Sequence, residues 1–436
     1  MNFTQPSRTA IAIERELRAM RWPLIDGPAA AEFVLPSYQG RSLANVPATI
    51  AALLGVGPVG SLPPLDAAYW QGLGSVEHVV LILLDALGWL QLTNELASSQ
   101  TVLNCLAERG ILLPMTSVCP STTATALATL GTAEPPAVHG VLGYELWLRE
   151  YGMLVEMLGL KPVYARGATQ LTDWGWQPET SMPVPGVGTL LEQAGVRTSA
   201  HLREQFRDGA LTRLCYRGFG RIIGHDGLAS LCEHLGADLA EAGGQRSYHY
   251  AYWGGIDREI HMHGADTADW HNAYREAAAA LGRWVSEQLP AQAPANTVVL
   301  ICADHGFVST PEETAYAIEG SPLERELLVP QSGESRCAYL HTLGGLGAAS
   351  RTKLQALLGE GYAVLDAREA LQAGLFGPGR PTPEVEARLG DHIAVARGQR
   401  YIDRLGRAAW MRGRHGGLTP EEMLVPWLAV RVDALV

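Results

Sequence analysis

The sequence predicts an α/β fold with a mostly parallel central sheet that is flanked by helices and carries a smaller inserted α+β cap. Helix-period and strand-like apolar runs alternate along much of the 436 residues, as is typical of α/β proteins. Three strand-like runs, EHVVLILLD, SYHYAYWGGID and NTVVLICADHG, are rich in β-formers and lead into an aspartate. Such runs are expected for parallel strands that are covered on both faces and that end at a ligand-binding edge.

The chain is expected to divide into a lead-in, a core and a cap. The lead-in, residues 1–74, should pack on the core; it contains a helix-period stretch, AIAIERELRAM, and a Pro/Gly-rich connector, VGPVGSLPPLD. The core should comprise residues 75–310 and 401–436, and the cap residues 311–400. Within the cap, RCAYLHT and GYAVLD predict strands, SRTKLQALLGEG predicts a helix, and GLFGPGRPTPEVEARLGD indicates a loop-rich segment.

The composition indicates a soluble globular protein and argues against several partners. The chain is 47% hydrophobic with a formal net charge of −12, and its lysines are Lys161 and Lys353. Because there is no basic block, polymeric nucleic acid is not expected as a partner, although bound metal would still allow an anionic substrate. We also expect no membrane partner, because no apolar stretch approaches the ~20 residues that span a bilayer.

The cysteines and the first residues bear on the compartment. Six cysteines are scattered without C-x-x-C spacing, and several lie in apolar runs. Buried free thiols are typical of a reducing compartment. The opening residues, MNFTQPSRTAIAIERELRAMRWPL, lack the charged and apolar regions of a secretory signal. We therefore expect a cytoplasmic protein, and the sequence leaves its oligomeric state open.

Three aspartates follow the three apolar runs, namely Asp85, Asp257 and Asp304. The carboxyl ends of parallel strands meet at one edge of an open sheet, so we expect these carboxylates to face a common site. The alternative for each aspartate is that it caps the following helix or begins a turn. The histidines near them favour the common site.

Three histidines are candidate partners of these carboxylates. His261 lies four residues after Asp257, so the two share one face of a helical turn. His305 directly follows the third aspartate, and His415 precedes two glycines and a capping-box sequence, which places it in a loop just before a helix. His263 is instead expected to lie at the surface or to contact the metal ligands without binding the ion itself.

A loop rich in small hydroxyl residues, within SVCPSTTATALATL, precedes a predicted helix. Helix N-termini attract anions through free N–H groups and the helix dipole, and a hydroxyl bound to metal can become a nucleophile. The candidate hydroxyls are those of Ser121, Thr122, Thr123 and Thr125, and ordinary N-capping is the alternative.

Together the three carboxylates and three imidazoles form a mixed N/O ligand set. Such a set suits Zn²⁺ and, less well, Mn²⁺ or iron. Six protein ligands exceed the needs of one four-coordinate zinc ion. They match two ions that share a site, roughly 4 Å apart in two-metal phosphoryl-transfer enzymes.

Taken in order, these motifs resemble the alkaline phosphatase superfamily, and among its branches the type I phosphodiesterase/nucleotide pyrophosphatase group. That branch carries a strand ending in Asp, a P-S/T-x-T nucleophile loop, D-x-x-x-H, S/A-D-H-G and a late H-G. The corresponding residues here are Asp85, Pro120–Thr123, Asp257–His261, Ala303–Gly306 and His415–Gly416. The resemblance covers residues 76–310 and 405–430, and it implies an alkaline-phosphatase-like fold.

The resemblance implies two zinc ions, with Mn²⁺ or another divalent ion as the alternative. The implied ligands are Asp257, His261 and His415 for one ion, and Asp85, Asp304, His305 and the nucleophile for the other. The motif places the nucleophile at Thr123, with Thr122 as the second choice.

The implied activity is that of a phosphodiesterase/nucleotide pyrophosphatase, which hydrolyses a small phosphoester, a nucleotide among the candidates, through a phosphothreonine intermediate. A phosphomonoesterase of the same fold and a non-catalytic metal-binding regulatory module are the alternatives, and a phosphomutase is less favoured.

The chain departs from the branch at one position. The resemblance implies a phosphate-binding asparagine three residues after the nucleophile, where this chain has Ala126. Arg258 and Arg414 lie beside metal-ligand candidates and could contact the substrate instead; an exposed or structural arginine is the alternative for each. His139, within VHGVLGY, is expected to be structural.

Overall fold

The computed structural model describes residues 4–25, 27–165, 167, 169–345, 347–404, 406 and 410–435. Its α-helices are α1 Arg8–Ala19, α2 Gly27–Glu32, α3 Val46–Leu53, α4 Trp89–Ser98, α5 Val102–Arg109, α6 Thr123–Thr132, α7 Pro136–His139, α8 Pro178–Ser181, α9 Val187–Gln193, α10 Ala210–Cys215, α11 Leu228–Ala242, α12 Gly255–His263, α13 Ala268–Arg283, α14 Leu289–Gln292, α15 Ala348–Leu358, α16 Ala367–Gln372, α17 Pro383–Arg388 and α18 Pro420–Met423. Among these described helices, none is long and apolar enough to cross a bilayer.

The β-strands build two seven-stranded sheets and two short strand pairs. The strands are β1 His78–Leu84, β2 Ile111–Thr116, β3 Glu145–Leu148, β4 Met153–Glu156, β5 Lys161–Pro162, β6 Arg197–Arg203, β7 Arg221–His225, β8 Ser247–Trp253, β9 Thr297–Cys302, β10 Val308–Ser309, β11 Ala315–Ala317, β12 Ser332–Gly333, β13 Cys337–Leu340, β14 Tyr362–Asp366, β15 His392–Ala396, β16 Tyr401–Asp403, β17 Gly413–Arg414 and β18 Leu424–Arg431.

The central sheet has the strand order β2-β18-β9-β1-β8-β6-β7. The five strands from β9 to β7 run parallel to their neighbours, while β18 is antiparallel to both β9 and β2. Every residue of β1 and β9 is buried, as the apolar runs predicted, because helices cover both faces. The predicted mostly parallel α/β sheet is thus confirmed.

The second sheet is antiparallel, with the order β14-β15-β13-β12-β3-β4-β5. Four of its strands lie between residues 332 and 396, and they include the two strands predicted from RCAYLHT and GYAVLD. The other three strands lie between residues 145 and 162, in a segment for which the sequence predicted no strand. The division of the chain into lead-in, core and cap stays a prediction.

A short strand pair and contacts made by the lead-in bring distant segments of the chain next to the carboxyl edge of the central sheet. The pair β10–β17 sets Val308 opposite Arg414, so the loop with His415 lies beside the end of β9. From the lead-in, α1 packs on β2, and the Val34 N–H donates to the Leu418 carbonyl at 2.8 Å. The predicted capping box is also present, with Thr419 as the N-cap of α18.

Candidate active site

Three carboxylates lie at the carboxyl edge of neighbouring parallel strands, as predicted. Asp85 directly follows β1, and Asp304 lies two residues beyond the end of β9. The interpretation of Asp257 as a strand-end residue was wrong in detail: β8 ends at Trp253, and Asp257 lies in the first turn of α12. Gly254 and Gly255 join the strand to the helix at a place where a Cβ would collide with the Tyr252 and Trp253 side chains. The Asp257 carboxylate still lies at the same edge.

Each of these carboxylates has one buried oxygen that accepts no hydrogen bond in the described structure, and in Asp85 and Asp304 the other oxygen accepts hydrogen bonds from the protein. Asp85 Oδ2 accepts the Tyr252 hydroxyl, and Asp304 Oδ1 accepts the N–H groups of Ala86 and His305, both at 3.1 Å. Within the described residues, Asp85 Oδ1, Asp257 Oδ1 and Asp304 Oδ2 are buried without a hydrogen-bond partner. Buried oxygens without donors are costly, so this set has the character of a cation site.

The three predicted histidines all turn Nε2 toward these carboxylate oxygens and Nδ1 toward a backbone carbonyl. The Nδ1 atoms of His261, His305 and His415 lie 3.0 to 3.1 Å from the backbone carbonyls of Gly413, Gly306 and Ser121, respectively. A carbonyl only accepts, so each Nδ1 carries the proton and donates it. Each Nε2 therefore carries the lone pair that can bind a metal ion, which is the usual arrangement of metal-binding histidines.

The Nε2 atoms lie close to the unsatisfied carboxylate oxygens. His261 Nε2 and His415 Nε2 are 3.4 and 3.9 Å from Asp257 Oδ1. His305 Nε2 is 3.4 Å from Asp85 Oδ1 and 3.6 Å from Asp304 Oδ2.

These donor atoms form two overlapping groups. One contains Asp257, His261 and His415, and the other contains Asp85, Asp257 and His305, with all donor atoms of a group within 4.8 Å of one another. The first group is the predicted one. The second includes Asp257 besides the predicted Asp85 and His305, so Asp257 lies between the two groups.

Burial and mutual repulsion shape the titration of the site. Burial, followed by the charges of Asp304 and Asp257, raises the pKa of Asp85 well above its ordinary value. Burial also raises the pKa of Asp257, against the opposing effect of His261. Burial and the neighbouring imidazoles lower the pKa of His415, so this ring is neutral. Cations in the site would reverse this repulsion among carboxylates.

The hydroxyl loop meets this cluster at the start of α6. Thr122 is the N-cap and Thr123 the first helical residue, which confirms the predicted helix N-terminus. Thr123 Oγ1 lies 3.2 Å from His305 Nε2 and donates to it. The Ser121 hydroxyl donates to the Gly417 carbonyl at 2.8 Å, and Thr125 is fully buried inside the helix.

Two cavities open from the cluster, and both reach Thr123 and Asp257. The larger, of 640 Å³, is distinguished by the apolar side chains of Leu127, Leu202, Leu228 and Trp253, which line it together with charged residues such as Arg203 and Asp226. We call it the apolar cavity. The other, of 510 Å³, is lined by polar and charged side chains that include Tyr144, Glu145, Gln331, Glu334 and Arg404. We call it the polar cavity.

The two predicted substrate-contacting arginines lie on different cavities. Arg258 lines the apolar cavity with a side chain that is 64% exposed. Arg414 lines the polar cavity but is buried, with its guanidinium 3.5 Å from the Tyr401 ring centre and donating to the Thr310 hydroxyl and the Met411 carbonyl. Their role in substrate binding stays a prediction.

Three further positions can be compared with their expected roles. His263 is 40% exposed, as expected for a surface histidine, and His139 is buried and bonded to Thr129 and to the Val141 N–H, as expected for a structural one. Ala126 is fully buried in α6 and lines neither cavity.

Sequence reasoning missed two polar residues of the site. Tyr252 bonds Asp85 from the neighbouring strand β8, and Glu334 lines the polar cavity and bonds the Tyr144 N–H at 2.7 Å. The pairing of β1 with β8 would have pointed to Tyr252, but it requires the strand order. Nothing in the local sequence of Glu334 marks it.

Comparison with known proteins gives the family. The profile of the family described as type I phosphodiesterase/nucleotide pyrophosphatase matches residues 79–417, well over half of the chain. A comparison with curated protein sequences gave no match.

Several solved structures share the fold. An inactive variant of murine ectonucleotide pyrophosphatase/phosphodiesterase 5 in complex with AMP superposes with a TM-score of 0.60 at 15% identity, covering 81% of this chain and 87% of that one. The human protein gives a TM-score of 0.59, also at 15% identity and with the same coverage. Phosphonoacetate hydrolase from Sinorhizobium meliloti 1021, bound to phosphonoacetate, gives 0.57 at 18% identity, covering 82% and 93%. The chain belongs to the type I phosphodiesterase/nucleotide pyrophosphatase family of the alkaline phosphatase superfamily, and it is a phosphoester hydrolase.

Proposed function

We propose that the protein hydrolyses small phosphodiesters with two divalent metal ions, zinc foremost, and with Thr123 as the nucleophile. The observation that carries this proposal is the convergence of three unsatisfied carboxylate oxygens with three imidazole Nε2 atoms beside the Thr123 hydroxyl. Mixed carboxylate and imidazole donors are the ligands that Zn²⁺ prefers in hydrolase sites, and Mn²⁺ is the alternative.

The donor groups support two ions rather than one. Asp257, His261 and His415 would hold one ion, and Asp85, Asp304, His305 and Thr123 the other, with Asp257 able to reach both. When bound, such ions act as Lewis acids that stabilise charge on the attacking and leaving oxygens.

Thr123 is the best placed of the candidate hydroxyls. It lines both cavities, and the helix N-terminus behind it favours the charge of a phosphoryl group. In the proposed reaction, Thr123 Oγ1 loses its proton to solvent and bonds to phosphorus, while the bond from phosphorus to the leaving alcohol breaks. Water then cleaves the phosphothreonine and restores the hydroxyl. The second choice, Thr122, lines only the polar cavity and bonds Glu334.

The two cavities support a diester as the substrate. A diester carries two organic groups on one phosphorus, and two cavities of 640 and 510 Å³ open from the same nucleophile. Each is within the usual range for pockets that hold organic ligands. A monoester would fill only one of them. A nucleotide is one candidate for an arm of the substrate, since AMP is bound in the murine relative.

The proposal is tested with paired aryl substrates. Protein dialysed against chelator should turn over neither bis(4-nitrophenyl) phosphate nor 4-nitrophenyl phosphate, and added Zn²⁺ or Mn²⁺ should restore hydrolysis of the diester in preference to the monoester. Faster turnover of the monoester would favour the phosphomonoesterase. Protein that binds metal but hydrolyses neither substrate, nor nucleotide diesters, would favour the metal-binding regulatory module.

We also propose a cytoplasmic location. All six cysteines are unpaired, and five of them are buried. Free thiols are maintained in reducing compartments, so the cysteines support this proposal.

A further inference from the structure

A second cluster of metal-binding side chains lies inside the molecule, apart from the active site. We propose that it binds one structural Zn²⁺ ion, with His201, Asp238, His249 and Ser199 as ligands. Among the described residues, the groups of three or more potential metal ligands number three, and two of them form the active site. The third consists of His201, Asp238 and His249 and serves no step of the proposed reaction.

The fold brings these side chains to one face of the central sheet. Ser199 and His201 are two residues apart on β6 and therefore point to the same face. Ser199 pairs with His249 of the parallel neighbour β8, and Asp238 reaches them from α11, which packs on these two strands. The side chains of His201 and His249 are fully buried, and that of Asp238 is 3% exposed.

The donor atoms lie close enough together to bind one four-coordinate ion. Ser199 Oγ lies 3.0 Å from His201 Nε2 and 2.8 Å from His249 Nδ1, while Asp238 Oδ2 lies 3.1 and 4.0 Å from the same two nitrogens. Zinc bonds of 2.0–2.2 Å in a tetrahedron require donors about 3.3–3.6 Å apart, so the three shorter distances would lengthen by a few tenths of an ångström when the ion binds. The corresponding distances around Asp257 in the active site are 3.4 and 3.9 Å.

The charges also suit a cation. Both imidazole side chains are fully buried, and burial favours the neutral ring, whose lone pair can bind a metal ion. Arg221 donates to Asp238 Oδ1 at 2.5 Å and orients this carboxylate. In the described part of the chain, Asp238 Oδ2 is buried and accepts no hydrogen bond.

Hydrogen bonds among these side chains satisfy only some of their polar atoms. Ser247 lies between His249 Nε2 and His78 Nδ1, at 2.8 and 2.9 Å, and satisfies the outer nitrogen of His249. Ser199 can bridge the two inner imidazole nitrogens. The nitrogen nearest to Asp238 Oδ2 is His201 Nε2, at 3.1 Å, but the two atoms do not meet the geometry of a hydrogen bond in the described structure. A metal ion would satisfy this oxygen and both nitrogens together.

The test is the metal content of the full-length protein after exhaustive dialysis against EDTA. The active-site ions face open cavities and should leave, while one zinc per chain should remain in the buried cluster. X-ray absorption at the zinc edge of this dialysed protein should then show four N/O ligands at about 2.0–2.2 Å. Zinc-free dialysed protein, or zinc with sulfur ligands, would overturn the proposal.

Matched variants locate the retained ion. Asp238→Asn keeps the shape of the side chain but should lose the retained zinc, whereas Ser247→Ala, in the same buried row, should keep it. Asp257→Asn should lose active-site metal and activity but keep the retained zinc, which separates this proposal from the proposed function. Retention of the zinc by Asp238→Asn would show that the ion lies elsewhere and would also overturn the proposal.

Discussion

Arg336 donates two parallel hydrogen bonds to Glu422, from Nε to Oε1 at 2.7 Å and from Nη2 to Oε2 at 2.8 Å, and both side chains are fully buried. Arg336 precedes β13 of the antiparallel sheet, while Glu422 belongs to α18. The same carboxylate accepts the N–H groups of Gly417 and Thr419. The pair thus joins the antiparallel sheet to the loop that carries His415.

Arg336→Met should destabilise the protein and loosen the His415 loop. The variant leaves the Glu422 charge buried and unpaired, and breaking a buried ion pair in this way costs about 3–5 kcal/mol. Urea unfolding should show the loss as a lower midpoint. Adding Glu422→Gln to Arg336→Met removes the unpaired charge but keeps an acceptor for Gly417, so part of the stability should return. The control is Glu421→Gln, at the partly exposed neighbouring residue, whose urea midpoint should equal that of the parent. An Arg336→Met variant that is as stable as the parent would contradict the prediction.

Thr123→Ala should abolish turnover without loss of metal. Removing a nucleophile lowers kcat by a factor on the order of 10³ or more, whereas the carboxylates and imidazoles of the site remain. Diester hydrolysis measured on one sample checks the loss of turnover, and the metal content of the same sample checks that the ions remain bound. The control is Thr125→Val, two residues further along the same helix: its hydroxyl is buried without a partner in the described structure, so turnover should persist. If Thr123→Ala still turns over the diester, the nucleophile must be another hydroxyl.

Much of the site could be predicted from the sequence because its ligands follow strong local signals. Apolar runs leading to Asp85 and Asp304, the i, i+4 pair Asp257–His261, and a glycine-flanked His415 are each visible in a short window. The central sheet follows from the same runs. Each signal depends on near neighbours only, and the parallel sheet edge then gathers them.

The antiparallel sheet could not be predicted in full because its strands are short and distant in sequence. β3 and β4 have four residues each, and their link to the rest of the sheet runs through one pairing, Gly333 with Glu145. The position of Asp257 in a helix was also missed, because β8 ends at Trp253 and a helix begins at Gly255, within what reads as one apolar run. Tyr252 and Glu334 reach the site only through strand order and sheet contact, which no short window contains.

Tyr252→Phe should weaken metal binding more than it weakens turnover at saturating metal. The Tyr252 hydroxyl donates to Asp85 Oδ2 and so turns Oδ1 toward His305. Loss of such an outer partner reduces metal affinity by about 10–100-fold. Activity titrated against free Zn²⁺ should therefore shift to higher concentrations with a similar plateau. Tyr250→Phe, two residues earlier on β8 and in contact with the Tyr216 ring, should leave the titration unchanged; equal curves for both variants would argue against the orienting role.

Glu334→Gln should flatten the pH dependence of stability. Burial, opposed by bonds from Thr122 and Tyr144 and reinforced by the charges of Glu145 and Glu422, raises the pKa of Glu334 from 4.5 to about 8. Arg404 pairs with Glu145 and Arg336 with Glu422, so both neighbouring carboxylates are themselves compensated. The folded protein therefore holds a proton on Glu334 that the unfolded chain releases above pH 4.5.

The sign of the effect follows from this proton. Because the folded state binds more protons between pH 4.5 and about 8, its stability should fall as pH rises through that window and level off above it. Glutamine resembles the neutral acid and still accepts the Tyr144 N–H, so the variant should equal the parent near pH 5 and exceed it at pH 9. Urea midpoints at the two pH values measure this difference. Parallel pH profiles for parent and variant would mean that Glu334 is ionised in the folded protein, in which case a cation must lie within its reach in the polar cavity.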